Sequence, residues 1–167
     1  WALFKLILPL PWCWLSICRR SFQPASPNLA RRCRLPMGHG FHGARLRPGQ
    51  ILVVPGGMQS LLRRNADGLT LQVEPGGASE LYRPSIDRLL GSAALAAGRH
   101  TVGVVLTGMG SDGSVGARAV KAAGGRMWAQ DEASSTVFGM PAAVIRAGLA
   151  DEILSANELA SRLRRGG

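Results

Sequence analysis

Thr101-Val102-Gly103-Val104-Val105-Leu106-Thr107-Gly108-Met109-Gly110-Ser111-Asp112-Gly113 is the stretch on which the fold turns. Its first seven residues are a continuous apolar run with β-branched side chains, the pattern of a strand buried on both faces in a parallel sheet. Three glycines and an aspartate follow directly, and then a helical pattern from about Ser114 to Ala123, closed by Gly124-Gly125. Strand, glycine turn and helix in that order form one step of an α/β fold, in which ligands and chemistry gather beyond the carboxyl ends of strands. The turn frees backbone N–H groups, and the helix dipole favours negative charge there. From the turn alone, Asp112 reads best as a helix N-cap. No G-x-x-x-x-G-K-[ST] phosphate loop is spelled, and the G-x-G-x-x-G spacing of Gly108, Gly110 and Gly113 is by itself a weak sign of phosphate binding.

The pattern continues on both sides. Arg126 to Gln130 reads as the next strand and Pro141 to Ala147 as a helix closed by Gly148. Asp151 to Leu154 is a short strand, and Ser155-Ala156-Asn157-Glu158 is a capping box that opens a last helix rich in arginine at its end. Upstream, Ile51 to Val54 is a strand between Arg47-Pro48-Gly49-Gln50 and Pro55-Gly56-Gly57, and Gly68 to Val73 alternates as a half-buried strand. Arg83-Pro84-Ser85 opens a helix to about Ala97, with proline at an early helical position and Ile86, Leu89, Leu90 and Ala93 on one face. The predicted fold is α/β: a doubly wound, mostly parallel sheet flanked by helices in a Rossmann-like three-layer arrangement, with a small β-hairpin insertion.

The 167 residues carry a net charge of +10, but unevenly. Trp1 to Ala66 holds ten Lys or Arg and no Asp or Glu, whereas Asp67 to Gly167 holds ten of each sign. The basicity belongs to one end of the chain, which argues against a nucleic-acid-binding face. Cys13, Cys18 and Cys33 lie at that end in no zinc or redox spacing, with Trp1, Trp12 and Trp14. The apolar run Trp1 to Cys18 is short for a membrane span and interrupted by Lys5, Pro9 and Pro11, so stable membrane insertion is not expected. Prolines and arginines without helical or strand periodicity lead us to expect poor packing before Leu35. The division expected is therefore 1–34, an aberrant basic and apolar segment, and 35–167, the folded unit.

Read with its surroundings, the glycine turn resembles the stretch ending in GMG-x-DG of the chemotaxis-receptor methylesterases (CheB type). Ala129-Gln130-Asp131-Glu132-Ala133-Ser134-Ser135-Thr136-Val137-Phe138-Gly139-Met140-Pro141 also resembles that family and stands at its spacing. Leu46-Arg47-Pro48-Gly49, Val54-Pro55-Gly56 and Arg83-Pro84-Ser85-Ile86-Asp87 match in order, so the resemblance runs from about Leu46 to Leu163. It implies a cytoplasmic hydrolase that removes methyl esters from receptor glutamates, and deamidates receptor glutamines, with a Ser-His-Asp triad and no metal or cofactor. It further implies methyl-accepting chemotaxis receptors as partners, and a receiver domain upstream or on another chain. The aspartate role falls on Asp112, and Met109 sits where its backbone N–H can support an oxyanion. Asp131 and Glu132 read as N-terminal helix charges, and Met140 and Trp128 as packing.

The other two triad members have no match. The family's serine stands in a G-x-S-x-G-G turn, and Ser16, Ser21 and Ser26 lack its glycines. Its histidine stands in a Q-H-M-P-like stretch after an early strand. His39 and His42 come too late in the order, and His100 precedes a strand instead of following one. One permitted back-translation of Trp12 to Arg20, read two bases later, spells Val-Leu-Ala-Gln-His-Leu-Pro-Pro, its His codon straddling Ser16 and Ile17. We therefore expect roughly the first thirty residues to be an out-of-frame translation of the family's histidine segment. With its serine and histidine unmatched, this chain is itself expected to be inactive as an esterase; the alternative function is a catalytically dead domain of this type that binds receptors or a regulator.

Overall fold

The computed structural model describes residues 3–8, 13–18 and 37–165. Seven strands form one sheet in the order β3-β4-β2-β1-β7-β8-β9. They are β1 (Leu3–Leu8), β2 (Cys13–Cys18), β3 (Met37–His39), β4 (Gln50–Val54), β7 (Val102–Val105), β8 (Arg126–Gln130) and β9 (Glu152–Leu154). The pairs β3/β4, β2/β4, β7/β8 and β8/β9 are parallel, and β1 is antiparallel to both β2 and β7. A separate antiparallel hairpin of β5 (Met58–Asn65) and β6 (Gly68–Pro75) is the expected insertion. The α/β architecture and the mostly parallel sheet are as the sequence implies.

Four helices follow in the described chain: α1 (Ile86–Ala97), α2 (Ser114–Ala122), α3 (Gly139–Arg146) and α4 (Ala156–Arg165). The apolar stripe predicted for α1 is buried, with Ile86, Leu89, Leu90 and Ala93 fully inaccessible. They pack in one core with Leu62 and Leu71 of the hairpin, Val105 of β7 and Val120 of α2. Each such large aliphatic side chain contributes about 1.5–3 kcal/mol by leaving water. Trp128 and Met140 are also fully buried, so their reading as packing residues holds. The capping box is formed: the Glu158 N–H donates to Ser155 Oγ at 3.3 Å, and the Ser155 N–H donates to Glu158 Oε2 at 2.8 Å.

Three local readings change. Pro84 precedes the N-cap Ser85 and so lies outside α1. Helix α3 starts at Gly139, two residues before the proline that was read as its opening. Asp131 heads no helix; its carboxylate accepts the Ser134 N–H at 2.9 Å and holds a turn.

The hairpin is tied to α1 by polar side chains. The Leu62 N–H donates to Ser92 Oγ at 2.9 Å, and Arg64 Nε donates to the Ala96 carbonyl at 2.6 Å. Fully buried Gln59 donates to the Tyr82 carbonyl at 2.7 Å and to Glu80 at 3.0 Å, while its oxygen accepts the Ser85 N–H at 2.9 Å. Arg88 bridges Glu74 and Glu80. The Gln59 and Arg88 contacts fix the start of α1, which borders the site, and the Ser92 and Ala96 contacts hold its second half.

Candidate active site

The parallel pairings, with β1 antiparallel to both β2 and β7, put the carboxyl ends of β2, β3, β4, β7, β8 and β9 on one edge of the sheet. Asp112 lies on this edge, seven residues past the end of β7 and only 3% exposed. A carboxylate so buried needs donors. Its Oδ2 accepts the Ile86 N–H at 2.9 Å, and its Oδ1 accepts the Asp87 N–H at 3.0 Å and the Ser85 hydroxyl at 3.2 Å. Asp112 is thus a cap, but of α1, not of the helix that follows it. The N-cap of α2 is Gly113, with no side-chain capping bond.

Helix α2 is capped from the other side. Asp87 Oδ1 accepts the N–H groups of Gly113 at 2.9 Å and Gly116 at 2.7 Å. Each aspartate therefore sits at the N-terminus of the other's helix, where the dipole favours a negative charge. Gly116 permits the approach: a Cβ there would lie 2.5 Å from Leu90 Cβ and 2.9 Å from the backbone of Asp87. Burial pushes the Asp87 carboxyl above its ordinary value. The charge of Asp112 adds to this, and the N–H groups of Gly116 and Gly113 oppose it. The neighbouring Glu80 is held below its ordinary value, first by the Gln59 amide and then by the Gly77 N–H and Arg88.

The glycine turn is pinned along its length. The Thr107 N–H donates to Gln130 Oε1 at 2.9 Å, and the Thr107 hydroxyl both donates to the Val137 carbonyl and accepts the Val137 N–H. The Gly108 N–H donates to the Val137 carbonyl, and the Gly108 carbonyl accepts the Met140 N–H, both at 2.9 Å. Met109 points its side chain into solvent, 76% exposed. The Tyr82 hydroxyl lies against Gly110.

No described histidine stands with Asp112. His39 is on β3, four strand positions from β7, or about 19 Å at the usual interstrand spacing. His42 is exposed and donates to the Val73 carbonyl at 2.9 Å. His100 is exposed and lies before β7, at the opposite edge of the sheet. Ser21 and Ser26 lie outside the described residues. Ser16 is on β2, where it pairs with Lys5 and Val53 in register. Sequence reading missed Asp87 and Gln130 as parts of the site's frame. The side chain of Asp87 is linked to residues 26 and 29 positions away, and only the tertiary fold joins them. Among the described residues, no cluster of His, Cys, Asp or Glu could hold a metal ion, and no helix is long and apolar enough to cross a membrane.

Comparison with known proteins gives this edge a lineage. The family model for CheB methylesterase matches residues 18–163. A protein-glutamate methylesterase/protein-glutamine glutaminase of Alkalilimnicola ehrlichii is 39% identical over 158 residues, covering 94% of this chain and 40% of that protein. One from Bordetella avium is 40% identical, covering 97% of this chain and 48% of the relative. The chain thus spans less than half the length of these relatives. The crystal structure of the Thermotoga maritima CheB methylesterase catalytic domain superposes with a TM-score of 0.72 at 33% identity, covering 76% of this chain and 67% of that one. With its sheet order, its glycine turn and a family match over most of its length, the chain belongs to the CheB methylesterase family.

Proposed function

We propose that this chain is the C-terminal part of a protein-glutamate methylesterase domain, acting on methyl-accepting chemotaxis receptors in the cytoplasm. The observation that carries this reading is buried Asp112, held by three donors beyond the carboxyl end of β7 in a chain of this family. In the chemistry proposed, a serine attacks the ester carbonyl and a histidine takes its proton, then returns it to the departing methanol. Water repeats the sequence to free the glutamate, and on a glutamine the leaving group is ammonia. Asp112 orients the imidazole and supports its positive charge, and the Met109 N–H donates to the oxyanion. Neither step calls for a metal or cofactor. A receiver domain upstream or on another chain would gate access to this edge.

The serine and histidine are the missing parts. The register supports the proposal that the first thirty or so residues are an out-of-frame copy of the histidine segment. Ser16 and Ile17, which flank the displaced His codon, pair with Val53 and Val54 at the carboxyl end of β2. That end lies two strand positions from β7, about 10 Å away. Resequencing the gene tests the point: two compensating shifts before Leu35 support it, and an intact frame with no Q-H-x-P reading overturns it.

A second reading, a receptor-binding domain without catalysis, is favoured by the distance of His39 and the placement of His42 and His100. Losing one member of a triad lowers the rate by about 10⁴–10⁶. Methanol release from methylated receptor separates the two. Release that disappears in Asp112→Ala supports the esterase, receptor binding without release supports the binding domain, and neither release nor binding refutes both.

A further inference from the structure

The peptide group between Gly108 and Met109 is fixed at one end. The Gly108 carbonyl accepts the Met140 N–H at 2.9 Å, and the Gly108 N–H donates to the Val137 carbonyl at the same distance. Among the described residues the cis bond is at Arg83-Pro84, so the 108–109 peptide is trans. In a planar trans peptide the C=O and N–H point in opposite directions. With the carbonyl aimed at the first turn of α3, the Met109 N–H points away from that helix.

This contact requires a residue without a side chain at position 139. A Cβ on Gly139 would lie 3.0 Å from the Gly108 carbonyl oxygen and 3.1 Å from the Gly110 nitrogen, both backbone atoms with little room to yield. From the β8 side, Gln130 is 4% exposed and links the Thr107 N–H to the Ser134 carbonyl, which it reaches at 2.6 Å. The turn is therefore held from two elements.

We propose that Gly139 and Met140, the first turn of α3, form the positioning element that aims the Met109 N–H at the substrate side of the sheet edge. Gly139 acts through its absent side chain and Met140 through its backbone N–H; neither is a catalytic residue. The inference rests on the oxyanion reading of Met109 and specifies what enforces it.

The test uses the isotope-labelled full chain. Nuclear magnetic resonance reads the coupling through the hydrogen bond from the Met140 nitrogen to the Gly108 carbonyl carbon, together with the Met109 amide shift. The coupling is expected in the unaltered chain and lost in Gly139→Ala, with the Met109 amide displaced. Gly91→Ala is the control, since nothing lies within 4 Å of a Cβ there, and should change neither signal. If Gly139→Ala fails to fold by circular dichroism, Thr107→Val loosens the same turn by removing both hydroxyl bonds to Val137 and should displace the same amide. Absence of the coupling in the unaltered chain, or an unmoved Met109 amide in the folded variants, overturns the inference. In a form of the domain that carries its serine and histidine and releases methanol, Gly139→Ala should lower kcat about tenfold or more with KM unchanged; an unchanged kcat also overturns it. The chain itself has no matched serine or histidine, so absence of methanol release from it leaves the resonance measurement to decide the positioning.

Discussion

Replacing Asp112 by alanine takes the acceptor from three donors at once: the N–H groups of Ile86 and Asp87 and the Ser85 hydroxyl. Ile86 is fully buried, so water cannot replace the lost partner without opening the core. Leaving one buried donor unmet costs about 1–3 kcal/mol, and losing a helix cap costs about 1 kcal/mol. Relief of like-charge repulsion on Asp87 offsets part of this, which leaves an expected loss of about 1–3 kcal/mol. Asp87→Ala deprives Gly113 and Gly116 of their acceptor and should cost about 1–2 kcal/mol. The two caps clasp the same pair of helix ends, so breaking one loosens the seat of the other. The double variant should therefore lose at least about 1 kcal/mol less than the sum of the single losses. Urea unfolding followed by circular dichroism measures all four corners of the cycle. Additivity within about 0.5 kcal/mol would mean independent caps and refute the clasp. A loss below about 1 kcal/mol for Asp112→Ala would refute the assignment of those donors.

Two further outcomes follow from the same geometry. Gly116→Ala forces a methyl group to within 2.5 Å of Leu90 Cβ, so stability should fall by about 1–3 kcal/mol in urea unfolding, against under 1 kcal/mol for Gly91→Ala. Acid unfolding should show two opposed carboxyls. At Asp151, burial raises the carboxyl, but Lys121, the Met127 N–H and Arg126 together outweigh it and hold it below its ordinary value of 3.8. Its stabilisation is present above that value and lost as pH falls through the lower folded value, so Asp151→Asn should flatten the acid limb. Asp87 is raised, so its contribution is full below 3.8 and is lost as pH rises through the folded value. Stability measured across that window should lose this component in Asp87→Asn.

The sequence made β7 and α2 legible because each is governed by local pattern: an apolar run, a glycine turn and an amphipathic stripe. Asp112 was legible as a cap by type, but not as the cap of α1, because its partners lie 25 to 27 positions upstream. Strand β5 escaped notice because its buried positions include Gln59 and Ser60 beside Leu61 and Leu62, which hides the alternation that marked β6. Strands β1 and β2 lie where composition suggested no periodic element, and nothing local announces that β1 runs against its neighbours. The aspartate role of Asp112 and the family came from longer matched stretches, each conveying more than its residue types alone.

The reversed direction of β1 has a practical consequence. Phe4 pairs with Val105 and Leu3 with Cys18, so the chain enters the sheet at the edge that carries Asp112 and leaves β2 at the same edge. Any polypeptide joined ahead of Leu3, whether an affinity tag or a natural neighbour, starts from the doorway of the site. A purification handle is therefore better placed after α4, and a cleavable amino-terminal tag should be removed before binding is measured.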